Sequence, residues 1–270
     1  MSDDFIPQNE GPRRFRPVAE FLIALRFLTR LPVPFVRTLD PPALSQAMRM
    51  FPLAGALVGL MAGATLVLAN LALLPQFFSA AAAMAVGALV TGALHEDGLS
   101  DVADGFGGGN TREQRLDIMR DSRIGAYGAL ALGLVVVARA SLLVALLELP
   151  LWHTIIVITG AAAFSRSLMV DLLWATRPAR SSGLSVAAGR PSRNTALFAL
   201  GFGGLMAGIG AGIVISPEAG VGALIAGGIM LALIRNLAMR KIGGQTGDVC
   251  GAAQVLCELA MLATYAAAIG

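Results

Sequence analysis

The chain has 270 residues, of which 56% are hydrophobic and only 14% charged, and its formal net charge is +3. A mean hydropathy of +0.73 is too apolar for a soluble globule, whose charged fraction is nearer ~25%, so most of the length needs lipid as its solvent. The small positive charge tracks membrane topology and is no nucleic-acid signal, and two cysteines and two histidines supply neither a disulfide framework nor a multi-histidine metal site.

In chain order, residues 1–19 are polar, with Asp3, Asp4, Arg13, Arg14 and Arg16, and read as a flexible cytoplasmic arm. No short apolar core with a small-residue cleavage site follows, so no cleavable signal peptide is expected. Residues 20–37 are apolar but carry Arg26, Arg30 and Arg37 and end in Leu31-Pro32-Val33-Pro34. A residue before proline is pushed out of the helical region, which predicts an interfacial or re-entrant amphipathic helix and not a full span. Asp40-Pro41-Pro42 then predicts a short helix capped by Asp40 with proline in its first turn. Seven windows are long and apolar enough to span: about 51–74, 77–94, 126–147, 154–175, 195–215, 219–238 and 250–269. The expected fold is therefore all-α: one polytopic membrane domain over 20–270, about seven transmembrane helices plus the N-terminal amphipathic helix. Gly55, Gly59 and Gly63 repeat every four residues, as do Gly204, Gly208 and Gly212, predicting close helix packing. The same stripes would permit a homo-oligomer.

The connections near 75–76, 148–153 and 216–218 contain no Lys or Arg, whereas 95–125, 176–194 and 239–249 contain Arg112, Arg115, Arg120, Arg123, Arg177, Arg180, Arg190, Arg193, Arg240 and Lys241. The positive-inside rule puts the second set in the cytoplasm. Seven alternating spans put all three on one side, with the N-terminus cytoplasmic and the C-terminus outside.

The long cytoplasmic loop 95–125 holds Glu96, Asp97, Asp101, Asp104, Glu113, Asp117 and Asp121, seven of the 17 acidic residues of the chain. On a helix Asp97, Asp101 and Asp104 fall within an arc of about 60°. Three like charges on one face destabilise a helix unless a cation neutralises them. Mg²⁺ prefers carboxylate oxygens and completes its shell with waters and substrate phosphates, so the three are candidate ligands of a divalent metal that presents a phosphate or diphosphate. No Gly-Lys-Ser/Thr follows the nearby glycines, which excludes a Walker loop. Arg112 to Gly125 reads as a short amphipathic helix ending at Gly125. Within it Asp121 is a candidate metal ligand or base, and Arg120 and Arg123 are candidate phosphate forks. His95 and Glu96 divide evenly between surface exposure and support of the metal face. Arg139, Arg166, Asp171 and Glu258 lie inside apolar segments and are expected to face the bundle interior and find partners. Arg177 and Arg180 could line the same cavity as the acids. Before the last span, Asp248 either caps the helix or contacts metal or substrate. Cys250 and Cys257 read as small buried hydrophobes.

Several stretches resemble the cobalamin synthase family, the adenosylcobinamide-GDP ribazoletransferases. They are Phe27-Leu28-Thr29-Arg30-Leu31-Pro32-Val33-Pro34, Arg49-Met50-Phe51-Pro52-Leu53-Ala54-Gly55, His95 to Gly109, Asp121-Ser122-Arg123-Ile124-Gly125-Ala126-Tyr127-Gly128 and Gly243 to Gly251. The resemblance implies an Mg²⁺-dependent enzyme of the bacterial inner membrane, with adenosylcobinamide-GDP as donor and α-ribazole or its 5′-phosphate as acceptor. A ribazole hydroxyl would attack the phosphate next to the aminopropanol arm, and GMP would leave. Asp97, Asp101 and Asp104 would then hold the metal, with Asp121 as an added ligand or base. Glu96, Arg123, Arg177, Arg180, Thr246 and Asp248 would meet substrate. Two rivals stand beside this reading. One is a CDP-alcohol phosphotransferase-like or prenyltransferase-like membrane enzyme; the aspartate spacing and the lack of a second acidic repeat weigh against it. The other is a small-solute transporter, whose binding groups usually lie near the bilayer midplane.

Overall fold

The computed structural model describes residues 16–33 and 41–270. Among them the helices, in order, are α1 (Pro17–Leu28), α2 (Leu44–Ala47), α3 (Phe51–Leu71), α4 (Gln76–Thr91), α5 (Leu94–Gly108), α6 (Arg112–Ile118), α7 (Ala126–Leu146), α8 (Leu151–Ala175), α9 (Leu184–Ala188), α10 (Arg193–Val214), α11 (Pro217–Ile242) and α12 (Gly247–Ile269), with a 3₁₀ turn at Met48–Met50 between α2 and α3. No strand is present among these residues; one isolated bridge joins Pro178 to Gln245.

Six helices are long and apolar enough to cross a membrane: α3 with α2 and its 3₁₀ lead-in, α7, α8, α10, α11 and α12. The predicted span at 77–94 is different. Its helix, α4, has 16 residues, about 24 Å at 1.5 Å per residue, short of a ~30 Å hydrocarbon core. The chain then turns by 92° into α5, so the seventh span exists only as a bent pair. Gly92 (φ 66°) and Ala93 (φ 56°) make the corner, both left-handed. Ala93 accepts this at a cost of roughly 1–2 kcal/mol. Gly92 has a second reason to lack a side chain, because a Cβ there would lie 2.0 Å from Arg30 Nε.

Helix α8 is the central post. In its apolar window 78% of residues are buried, against 17% in α7, whose Leu130, Leu134 and Val137 face outward. Small residues make that centre possible. A Cβ on Gly55 would sit 2.4 Å from the Ala162 carbonyl oxygen, and one on Gly59 2.6 Å from Ala162 Cβ, so the first glycine stripe packs α3 on α8. In the second stripe, Gly208 and Gly212 receive Gly220 of α11, where a Cβ would lie 2.4 Å from the Gly208 oxygen. Both stripes are used within the chain.

At the N-terminal side, α1 starts at Pro17, earlier than the predicted boundary at 20, and its 12 residues span only ~18 Å, too short to cross. It lies against the start of α3, with Phe27 stacked on Phe51 at 5.7 Å and the fully buried Glu20 paired to Arg49 at 3.0 Å. Residues 34–37 of the predicted amphipathic segment, the predicted cap Asp40 and most of the predicted arm lie outside the described residues. Pro41 and Pro42 precede α2 and are not in its first turn. Ala43, still extended (ψ 144°), is the residue before the helix. Cys250 and Cys257 are buried free thiols, as expected.

Candidate active site

The connections rich in Arg meet at one end of the bundle. There α5, which carries the acids, lies across the end of α12. The crossing is close because neither helix has a side chain at the contact. A Cβ on Gly98 would be 2.8 Å from the Asp248 oxygen, and one on Gly251 3.1 Å from the His95 oxygen. The contact places Asp248, in the first turn of α12, beside the acidic face of α5. The predicted helical register of Asp97, Asp101 and Asp104 is therefore present, and a fourth carboxylate from the far end of the sequence joins it.

The four acids are not equivalent. Asp97 is exposed, Asp101 half-buried and Asp104 buried. Burial, and the carboxylates of Asp97, Asp248 and Asp104, push Asp101 up to about 7 against the pull of Arg180. Asp104 is committed elsewhere: its Oδ2 accepts from the Gly125 amide (2.7 Å) and its Oδ1 from the Gly128 amide (2.8 Å). Those N–H groups have no partner within their own helix, so Asp104 caps α7 and ties it to α5.

The predicted helix from Arg112 to Gly125 is shorter than expected. Thr111 and Gln114 form a capping box that starts α6, which ends at Ile118; turns lead from there to Gly125. Asp121 lies in those turns. Arg123 donates to both of its oxygens, at 3.0 and 2.5 Å, and these bonds hold Asp121 down at about 2. Such a carboxylate is a weak base, and Asp121 is not among the charges that act on Asp101.

The arginines divide by function. Arg112 donates to the Ile242 and Ala179 carbonyls, Arg115 to Lys241 and Arg177 to Gly243; together they cap the C-terminus of α11. Arg180 alone of the predicted phosphate ligands faces the acids. Segment 177–179 pairs with Gln245 through Ala179 N to Gln245 O (2.8 Å) and Gln245 N to Arg177 O (2.9 Å). This brings Arg180 Nη1 to 3.6 Å from Asp248, while Nη2 donates to the Leu116 oxygen at 3.0 Å. Its Nε is buried with no partner among the described residues. Burial draws the Arg180 guanidinium below its usual range, with Arg120 adding to this and Asp248, Asp101 and Asp117 opposing it; an arginine there stays charged. Thr246, predicted to meet substrate, is buried and is the N-cap of α12, accepting from Val249 N at 3.3 Å. The alternative in which Asp248 caps is thereby replaced: Asp248 accepts from the Thr246 hydroxyl at 3.2 Å and turns its carboxylate to the acids.

Inside the bundle the intramembrane charges Arg139, Arg166 and Glu258 find partners, as predicted. Glu258 is bonded to Arg139, to Arg166 (2.9 Å) and to Gln254 (2.5 Å). Glu96 pairs with Arg139 at 3.6 Å. Asp171 is half-buried, and its expected partner is not among these bonds. His95 is fully buried, its Nε2 without a partner among the described residues, which excludes the surface reading of that residue.

Among the described residues no three His, Cys, Asp or Glu side chains converge as a preformed metal cage. Mg²⁺ needs none, since one or two carboxylates, waters and substrate phosphates complete its shell. Asp97, Asp101 and Asp248 are hard oxygen donors whose mutual repulsion Arg180 offsets only in part, a donor set that fits such an ion.

The fold and this site define a polytopic helical membrane protein with a carboxylate cluster and a facing guanidinium at one bundle end. The family described as cobalamin-5-phosphate synthase matches residues 20–266. The chain is 46% identical over 257 residues to the adenosylcobinamide-GDP ribazoletransferase of Azorhizobium caulinodans, covering 93% of this chain and 96% of that one. It is 44% identical to the protein of the same name from a Sinorhizobium species (90% and 94% covered) and 42% identical to that of Brucella ovis (91% and 95%). No solved structure matches. The chain belongs to the cobalamin-5-phosphate synthase family, and is accordingly a transferase of cobalamin biosynthesis.

Proposed function

We propose that this enzyme joins adenosylcobinamide-GDP to α-ribazole, or to its 5′-phosphate, with Mg²⁺, at the cytoplasmic face of the bacterial inner membrane. The observation that carries the reading is the juxtaposition of Asp97, Asp101 and Asp248 with the half-buried Arg180. A diphosphate brings negative charge to a place that already holds three carboxylates, so it needs a cation and a fixed guanidinium to bind there.

A bound Mg²⁺ supplies charge neutralisation for the diphosphate and the departing phosphate. Asp97 and Asp101 hold it, with Asp248 from α12; Asp104 acts one step removed, by pinning α5 to the start of α7. Arg180 meets the phosphate with its guanidinium, whose Nη1 is the atom on the side of the acids. In phosphoryl transfer the protein chiefly positions groups and stabilises charge. The ribazole hydroxyl oxygen forms a bond to the phosphorus next to the aminopropanol arm, the bridging P–O bond breaks, and GMP leaves with the electron pair. The hydroxyl proton passes to water or to a carboxylate of the cluster. Arg112, Arg115 and Arg177 support the walls of this site by capping α11.

Incubation of the purified protein in liposomes with adenosylcobinamide-GDP and α-ribazole is expected to release GMP with Mg²⁺ and none with EDTA. Release of CMP from a CDP-alcohol, or solute uptake with no Mg²⁺-dependent chemistry, would favour the rival classes.

A further inference from the structure

We infer that Arg139 is a positioning residue for the acidic site: reaching inward from α7, it holds Glu96 and so fixes the rotation of α5 that turns Asp97 and Asp101 toward Asp248. The inference rests on the metal reading above and deepens it.

Four charges sit together inside the bundle: Arg139 on α7, Arg166 on α8, Glu258 on α12 and Glu96 on α5. Arg166 is 3% and Glu258 6% exposed. They border a small cavity whose other walls are largely apolar, among them Val58, Met84 and Leu262. Two cations and two anions leave the set neutral, which is what a low-dielectric interior requires. Stability alone does not call for it, since a buried ion network replaced by well-packed apolar residues is often as stable or more so. What such a network adds is direction, because it closes in one arrangement only.

Three of the four members stand on spanning helices; Glu96 alone stands on α5. Successive residues of a helix lie ~100° apart. With Glu96 turned inward to Arg139, Asp97 and Asp101 fall about 100° and 140° round the axis from it, on the side of Asp248 and Arg180. Other attachments hold α5 further along its length, and Glu96 is the point at which it joins the charge network. Gly98 against Asp248 fixes how closely the helices approach. Asp104 pins the far half of α5 to α7. Among the described residues Arg139 is the one side chain ion-paired to both Glu96 and Glu258, and it thus links the rotation of α5 to the position of α12, the source of Asp248.

The test is Mn²⁺ binding by the purified full chain in detergent, read as loss of the free-ion paramagnetic signal. Glu96→Gln and Arg139→Lys are each expected to weaken binding by about tenfold, the usual scale for supports behind metal ligands. The double variant is expected to be no weaker than the weaker single, as two partners in one interaction require. Arg139→Lys keeps the charge but loses the fork that reaches two carboxylates, so unchanged affinity there would mean that charge alone matters and would overturn the role. Glu96→Gln keeps Glu258 paired to Arg139 and Arg166 but leaves the network one charge positive, so its melting temperature is read beside its affinity; unchanged affinity in that variant also overturns the role. Failure of the unaltered protein to bind Mn²⁺ both alone and with GDP present would refute the metal reading itself, and this role with it.

Discussion

Asp101 and Asp104 lie within one turn of each other on α5, yet they do different work. Asp104 spends both oxygens on the amides of Gly125 and Gly128, while Asp101 faces other carboxylates. Asp104→Ala leaves two amides without an acceptor and is expected to cost about 1–3 kcal/mol, seen as a lower melting temperature of the detergent-solubilised protein. An unchanged melting temperature would contradict the capping role. Asp121, held at about 2 by Arg123, is a carboxylate throughout the working range, so its titration adds no limb to the rate profile between about pH 4 and 9. Asp121→Asn is expected to leave that profile's shape unchanged; loss of an acidic limb in the variant would restore Asp121 as the base. Much of this was legible in the sequence, since periodicity alone places Asp97, Asp101 and Asp104 on one helical face. The diversion of Asp104 was not, because its partners are amides 21 and 24 residues away, and spacing along a helix carries no record of them. Thr246 shows the reverse: a threonine before a helix is a strong capping signal, and it decides between the two readings of Asp248.

At the scale of elements, what positions the site is the corner between α4 and α5 and the crossing of α5 on α12. Hydropathy sees an unbroken apolar window at 77–94 and predicts a span. It cannot see that Gly92 and Ala93 take left-handed conformations and end the helix early, although a glycine just before an acidic stretch is the usual mark of such an end. The crossing is equally local in cause. Gly98→Ala puts a methyl 2.8 Å from the Asp248 oxygen and is expected to lose activity and about 1–3 kcal/mol of stability through overpacking. Gly87→Ala is the control, because a Cβ there meets nothing within 4 Å. Equal activity and melting temperature in the two variants would show that the close approach of α5 and α12 is unimportant.

For the whole molecule, composition and loop charge carry the topology. The connections predicted to share a side do meet, through Arg112 and Arg115 reaching Ala179, Lys241 and Ile242. The burial order of the spans was partly legible, because α8 is the least apolar of α7, α8 and α10 and the most buried, while α7 is the most apolar and the least buried. A cysteine in place of the exposed Asn110 is expected to react with an impermeant thiol reagent only when the cytoplasmic face is open to it; labelling of intact cells from outside would invert the topology. The central claim is that the carboxylate face of α5 drives a metal-dependent transfer, and the most direct measurement follows GMP release from adenosylcobinamide-GDP by the unaltered enzyme and by Asp101→Asn in the same liposomes. The account predicts Mg²⁺-dependent release by the first and none above background by the second, which still folds; Mg²⁺-dependent release retained in Asp101→Asn would contradict it.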